Sequence, residues 1–295
     1  KRLLEYDDVM NSQREVIYKK RRHALFGERI QVDISNMMFD TCEGLLNEHH
    51  QNGDYEGLTL DLIKVFSSEA PFDEQTFLKG KPEELTQQLY KKVWETYQRK
   101  CANIGAQAMP VIADVYENKG HQYENIVVPI ADGQRVFQIV VNLKKAYESR
   151  GVELMRAFEK VVILVTIDEA WKEHLRELDD LRQAVQNATY EQKDPLLIYK
   201  FESFNLFKGM IDRNNKAVVS TLVKGHIPIQ QGSEVKEARP SRPAPEMSRL
   251  NVHKDEFPGQ MPPRMPQPGM PGQPPMPPQQ QAVTQPIKVD KRVGR

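Results

Sequence analysis

Cysteine and long apolar runs are both scarce in this sequence of 295 residues. Cys42 and Cys101 lie far apart and outside any Cys/His cluster, so neither a disulfide framework nor a structural zinc site is indicated. No apolar run approaches the roughly 18 residues that span a bilayer. Lys plus Arg and Asp plus Glu number 41 each, and this balance gives no argument for specific nucleic-acid binding.

Motifs of the common enzyme classes are also missing. The sequence contains no GxxxxGK[ST], GxGxxG or HExxH, and its seven histidines form no ligand set. Glu173 and His174 are adjacent, but neighbours on a helix point to different sides. We therefore interpret them as part of a solvated helix and not as an acid–base pair. The basic run at residues 19–23 (KKRRH) is interpreted as a solvated or domain-docking helix face, and the alternative is a face that binds nucleic acid or anionic lipid.

The first 48 residues repeat apolar side chains at helical spacing and contain no proline. This pattern predicts one long helix with an irregularity near Gly27. At 1.5 Å per residue it would extend about 70 Å, which is the length of a strut along which other parts dock. The chain lacks an initiator methionine and begins as if within a helix, so we expect a fragment of a longer protein.

Residues 52–150 read as a small, mostly helical module with one β-hairpin. Pro82 is suited to the first turn of a helix. Two β-branched runs flank Asp132 and Gly133, a strong short-range hairpin signal, and Pro129 favours an edge strand.

Residues 151–225 contain two amphipathic patterns joined by the polar, glycine-free stretch RQAVQNATYEQKDP. Two long helices with a short loop predict an antiparallel helical hairpin. Tyr190 is the only aromatic residue of the loop. From the pattern alone, it either folds back over the helix ends or forms an exposed contact at the tip.

The remaining residues differ in composition, since 14 of the 20 prolines lie after Gln231. Such a segment is typical of an extended, disordered tail. The predicted fold class is therefore mainly α. It combines a long scaffold helix packed with an antiparallel helical hairpin, a small helical module with one β-hairpin, and a disordered proline-rich tail.

Several long segments, in order, carry a resemblance to a known family. They are LLEYDDVMNSQREVIYKKR, WKEHLRELDDLRQ, TYEQKDPLLIYKFESFNLF and the closing VGR. The sequence closely resembles the C-terminal portion of SecA, the family of bacterial preprotein translocase ATPases. The likeness is strongest at residues 3–22 and 153–224 and weaker in the middle module, whose β-hairpin looks like a lineage-specific elaboration.

The resemblance implies four parts. Residues 1–51 match the long helix of the helical scaffold domain, and residues 52–150 match the helical wing domain. Residues 151–225 match the second part of the scaffold, called the two-helix finger, and residues 226–295 match the C-terminal linker. The tip of the finger, which in the family touches the channel and the translocating chain, corresponds to Gln186, Asn187, Ala188, Thr189 and Tyr190. We expect the finger to pack through Trp171, Leu175, Leu178, Phe201 and Phe204.

The resemblance also implies a function. The chain would transmit motor movement in the ATP-driven translocase that pushes unfolded preproteins through the SecYEG channel, at the cytoplasmic face of the bacterial inner membrane. ATP and Mg²⁺ would belong to missing motor domains and zinc to a missing C-terminal motif, so the chain alone is expected to be inactive. Weak attraction to anionic lipid and no specific nucleic acid are expected. The alternative is a non-motor helical scaffold with a proline-rich ligand tail.

Overall fold

The structure, a computed structural model, describes residues 2–27, 29–120, 122–185 and 194–228. All of these belong to one compact unit. The predicted disordered tail, residues 226–295, lies outside the described residues except for residues 226–228, where the prediction is wrong because His226 forms a backbone bridge with Ala131. None of the described helices is both long and apolar enough to cross a membrane.

The first 50 residues form two helices where the sequence predicted one. Helix α1 covers Arg2–Phe26 and helix α2 covers Ile30–His50. The predicted irregularity at Gly27 is a full break, because Gly27 has φ of 75° and Arg29 has φ of 61°. Left-handed residues end a helix, since they turn the backbone out of the helical path.

The predicted wing, residues 52–150, begins with three helices, α3 (Tyr55–Phe66), α4 (Glu74–Lys79) and α5 (Pro82–Lys119). Asp54 and Asp73 cap the first two helices, because their carboxylates accept hydrogen bonds from the backbone N–H of Gly57 and Thr76. Pro82 opens α5 in its first turn, as predicted.

The predicted β-hairpin is confirmed. Strand β1 (Asn125–Ala131) pairs antiparallel with β2 (Val136–Asn142), and Ala131 lies opposite Val136. The connecting loop is four residues long, longer than a two-residue Asp-Gly turn, because the Asp132 carboxylate accepts from the backbone N–H groups of Gln134 and Arg135. Helix α6 (Leu143–Glu148) follows.

The two helices of the predicted finger are α7 (Val152–Ala184) and α8 (Pro195–Lys224), which pack along each other. Just before α7, Gly151 has φ of 84°, and a Cβ there would lie 2.8 Å from the Cα of Gly105. Only glycine fits this position, because the finger begins in backbone contact with the wing helix α5.

The main core is one apolar cluster that joins α2, the wing, the N-terminal half of α7 and the C-terminal half of α8. Its most deeply buried side chains include Met38, Leu46, Phe66, Phe77, Leu89, Phe158, Val162 and Leu222. Two much smaller clusters lie farther along the finger, where α1 packs on α7 and α8. The base of the finger therefore packs against α2 and the wing, and the part farther along it packs against α1.

Candidate functional site

Helix α1 lies along the finger, antiparallel to α7. Near the end of α1, Arg21 holds Asp168 through two hydrogen bonds of 2.8 and 3.1 Å. Near the start of α1, the carboxylate of Asp7 lies 3.5 Å from the guanidinium of Arg182 in α7. Exposed ion pairs of this kind contribute little stability, so they mark the alignment of the helices more than they hold it.

A buried polar contact between these exposed pairs connects all three helices. Gln13 of α1 donates from Nε2 to the backbone oxygen of Ser203 in α8, at 3.0 Å. The Oε1 atom of Gln13 lies 2.8 Å from Nε2 of His174 in α7. All three residues are buried. One glutamine side chain thus links the scaffold helix to both helices of the finger.

The pairing determines the tautomer of His174. An amide oxygen only accepts hydrogen bonds, so Nε2 of His174 carries the proton. The Nδ1 atom has no hydrogen-bond partner among the described residues and lies 3.7 Å from the carboxylate of Glu177, which Arg213 also binds. Burial lowers the pKa of His174 because the charged imidazolium loses solvation, and Glu177 opposes this shift only in part. Burial therefore favours the neutral form of His174.

This location corrects the interpretation of His174 as part of a solvated helix face. Its ring is fully buried and lies between the aromatic rings of Trp171 and Phe207, with ring centroids 5.5 and 5.6 Å away. The physical reason is the position of α1, which covers this face of α7 and which the local pattern of α7 does not contain. Glu173 remains exposed and pairs with Arg176.

Apolar contacts flank the polar contact on both sides. On one side Ile17, Ile167 and Met210 are buried together. On the other side Leu178, Val185 and Tyr199 form a second cluster, with the ring of Tyr6 packed 4.8 Å from that of Tyr199. We call the polar contact of Gln13, His174 and Ser203, together with these two clusters, the finger junction.

The predicted packing residues of the finger separate into two groups. Leu178 is buried in the finger junction, and Trp171 and Leu175 are partly buried. Phe201 and Phe204, by contrast, are 65% and 63% exposed, so they do not pack the finger within the described part of the chain. The inward face of α8 carries Tyr199, Ser203 and Met210 at helical spacing, and Phe201 and Phe204 fall on the opposite face.

The predicted tip of the finger lies outside the described residues. This concerns Gln186, Asn187, Ala188, Thr189 and Tyr190. Their contact with a channel or a substrate stays a prediction.

A second buried polar contact, which was not predicted from the sequence, lies at the base of the finger. Glu159 of α7 accepts a 2.5 Å hydrogen bond from the Tyr97 hydroxyl of α5 and a 2.7 Å bond from Gln31 of α2. Burial raises the pKa of Glu159, and these two hydrogen bonds partly offset the shift. A signal existed in both cases, since Gln13 and Glu159 are polar residues at apolar positions of a helical repeat.

This arrangement defines a helical scaffold-and-wing module, in which the scaffold helix α1 packs along both helices of the finger. Residues 1–226 match the family model described as the SecA wing and scaffold domain. The chain belongs to the SecA family. The boundaries between scaffold, wing and finger within this match stay predictions.

Curated relatives agree with this assignment. The chain is 51% identical over 231 residues to a Protein translocase subunit SecA of Parabacteroides distasonis, covering 78% of this chain and 20% of that protein. It is 44% identical over 304 residues to the SecA of Bacteroides thetaiotaomicron, covering 100% of this chain and 26% of that protein. The SecA of Flavobacterium psychrophilum is 51% identical over 238 residues, covering 81% of this chain and 21% of that protein. The chain thus spans about a fifth to a quarter of these relatives.

Proposed function

We propose that this chain transmits movement within an ATP-driven protein translocase of the Sec pathway. The observation that carries the proposal is the finger junction, in which Gln13 binds both finger helices from the scaffold helix α1. Closely packed helices move as rigid bodies, since packed interiors resist gradual deformation. A displacement of α1 would therefore carry α7 and α8 with it.

In the whole protein, the finger would act on unfolded preproteins at the mouth of the SecYEG channel, on the cytoplasmic face of the bacterial inner membrane. Tyr190 would be the main contact, supported by Gln186, Asn187, Ala188 and Thr189. A tyrosine ring offers a large apolar face and a polar end, so it contacts varied chains without requiring one sequence. We assign ATP, Mg²⁺ and zinc to parts of the whole protein outside this chain, and weak attraction to anionic lipid to its basic tail.

A cross-linking experiment tests the rigid connection. Arg21→Cys and Asp168→Cys, in a full-length protein whose Cys42 and Cys101 are replaced by alanine, would be joined with a short bis-maleimide. Because the two positions already pair across α1 and α7, we expect the cross-linked protein to transport at close to its uncross-linked rate. A matched control joins Arg14→Cys to Tyr18→Cys within α1. Loss of transport with ATP hydrolysis retained, seen only for the inter-helix cross-link, would show that the helices must slide.

The tip is tested separately. Tyr190→Ser in the full-length protein is expected to reduce transport strongly and to leave basal ATP hydrolysis intact, with Gln192→Ser in the same loop as the control. Normal transport by the Tyr190 variant would contradict the tip role. The 295-residue chain itself is expected to show no ATP binding by calorimetry.

A further inference from the structure

The two edges of the wing hairpin expose different backbone groups. At one end of the ladder, the backbone N–H of Leu143 donates to the backbone oxygen of Glu124. At the other end, the backbone N–H of Asp132 donates to the backbone oxygen of Arg135, so both pairs are hydrogen-bonded. Hydrogen-bonded and non-bonded pairs alternate along an antiparallel ladder. The alternate residues of β2 therefore turn their N–H and C=O groups away from β1. They are Val136, Gln138, Val140 and Asn142.

The outer edge of β1 is protected. Ala131 exchanges two backbone hydrogen bonds of 2.8 Å with His226, and Pro129 has no N–H to offer. Proteins commonly block edge strands in these ways, because an open edge pairs with other chains.

The outer edge of β2 has no such protection within the described residues. Its sequence, VFQIVVN, contains neither proline nor a charged residue, and no described strand pairs with its outer side. Val140 is 54% exposed. The strand is thus a long, apolar edge, which is the type of edge that β-strand addition uses.

The groove beside this edge is rich in cations. A cavity of about 780 Å³ is lined by Gln138, Val140 and Asn142 of β2, and by the basic side chains of Arg29, Lys145, Arg156 and Lys160. Of its two acidic side chains, Glu153 pairs with Arg156 and Glu159 binds Tyr97 and Gln31. The other three cations, Arg29, Lys145 and Lys160, have no carboxylate within salt-bridge distance among the described residues.

We propose that the outer edge of β2 binds an extended, acidic segment of a separate polypeptide by β-strand addition. The edge supplies backbone hydrogen bonds at every second residue over about 20 Å, and the cations select acidic side chains. A second copy of this chain is a poor occupant, since pairing β2 with β2 would place the same cations against each other. This surface goes beyond the transmission role and does not depend on it.

The test measures peptide binding to the full-length protein by fluorescence anisotropy. The probe is a labelled eight-residue peptide of alternating valine and glutamate, and the comparison peptide has lysine in place of each glutamate. We expect the acidic peptide to bind at least ten-fold more tightly than the basic one. Equal binding of both peptides, or binding of neither, would overturn the proposal. Absence of binding would mean that the cations only prevent the edge strand from pairing with other chains.

Two backbone variants locate the site. Val140→Pro removes an outward N–H of β2 without removing a hydrogen bond to β1, and we expect binding at least ten-fold weaker. Val127→Pro makes the matched change at the outer edge of β1 and should leave binding unchanged. Equal effects of the two variants would place the peptide elsewhere.

Two further measurements keep the test valid if a proline variant misfolds. Lys145→Gln with Lys160→Gln should weaken acidic-peptide binding about three- to ten-fold, while Lys144→Gln, which lines a different cavity, should not. In the unmodified protein, bound peptide should slow amide hydrogen exchange at Gln138 and Val140 and leave Val127 unchanged. Protection at Val127 and not at Val140 would contradict the proposed edge.

Discussion

The main core and the finger junction bury side chains of different kinds. In the main core, Phe66, Phe77 and Phe158 belong to one continuous apolar cluster that spans the wing, α2 and the base of the finger. In the finger junction, two apolar clusters of a few residues each lie on either side of the polar contact of Gln13, His174 and Ser203. Apolar packing tolerates many arrangements of similar volume, whereas buried hydrogen bonds require particular partners. The core thus supplies most of the stability, and the junction determines how α1 and the finger are aligned.

The largest expected effect comes from the main core. Phe158→Ala removes a fully buried ring that packs against Phe137 and the backbone of Gly225, so we expect a loss of about 3–5 kcal/mol in the free energy of unfolding. Chemical denaturation of the 295-residue chain measures it, with the exposed Phe26→Ala as a control. A loss below about 1 kcal/mol would mean that the core is not the main source of stability.

A smaller effect is expected in the finger junction. Gln13→Leu leaves the Nε2–H of His174 buried without its acceptor, and such a group costs about 1–3 kcal/mol. The same denaturation measurement applies, with Ser12→Leu, one residue away on the exposed side of α1, as the control. Transport in the full-length protein should fall for Gln13→Leu more than its stability loss explains. Equal effects of the two variants would contradict the role of Gln13.

The junction should also depend on pH in a way that the apolar core does not. An unfolded histidine has a pKa of about 6.5, and burial holds the pKa of His174 below its usual value. Below about pH 6.5, His174 gains a proton in the unfolded chain but not in the folded chain. The free energy of unfolding therefore falls as the pH falls. Denaturation between pH 7 and 5 should show a steeper loss in the unmodified chain than in His174→Gln.

Glu159, whose pKa burial raises, contributes the opposite slope in both proteins and cancels in the difference. Glu177 and Arg213, which face His174, are likewise present in both. Parallel curves for the two proteins would show that His174 does not titrate differently in the folded state.

The smallest effect is expected on the outer face of the finger. Phe201→Ala and Phe204→Ala each remove a ring that is mostly exposed, so we expect changes within about 0.5 kcal/mol. Thermal or chemical denaturation of the 295-residue chain measures this, with Tyr199→Ala on the buried face of α8 as the contrasting control. A loss comparable to that of Tyr199→Ala would mean that these rings pack the finger after all.

Elements that depend on neighbouring residues were predicted from the sequence. The β-hairpin around Asp132 and Gly133, the helix start at Pro82 and the two finger helices follow from spacing and turn chemistry over a few residues. The break at Gly27 was predicted only as an irregularity, because glycine is tolerated within a helix and the left-handed conformation of Arg29 has no marker in the sequence.

Contacts between distant residues were not predicted. His174 and Gln13 are 161 residues apart, and Glu159 and Gln31 are 128 residues apart. The sequence of α8 shows apolar residues on more than one face, so Phe201 and Phe204 were as plausible for packing as Tyr199 and Met210. The choice between these faces depends on where α1 lies, and local periodicity contains no such information.

The sequence by itself determined the helical character of the chain, the position of its hairpins and its SecA family. Tertiary structure alone decided that α1 covers His174, that one glutamine joins three helices, and that no strand of the described residues pairs with the outer edge of β2. The physical reason is range. Backbone conformation responds to residues a few positions away, whereas burial and the pairing of polar groups depend on which surfaces meet after the chain has folded.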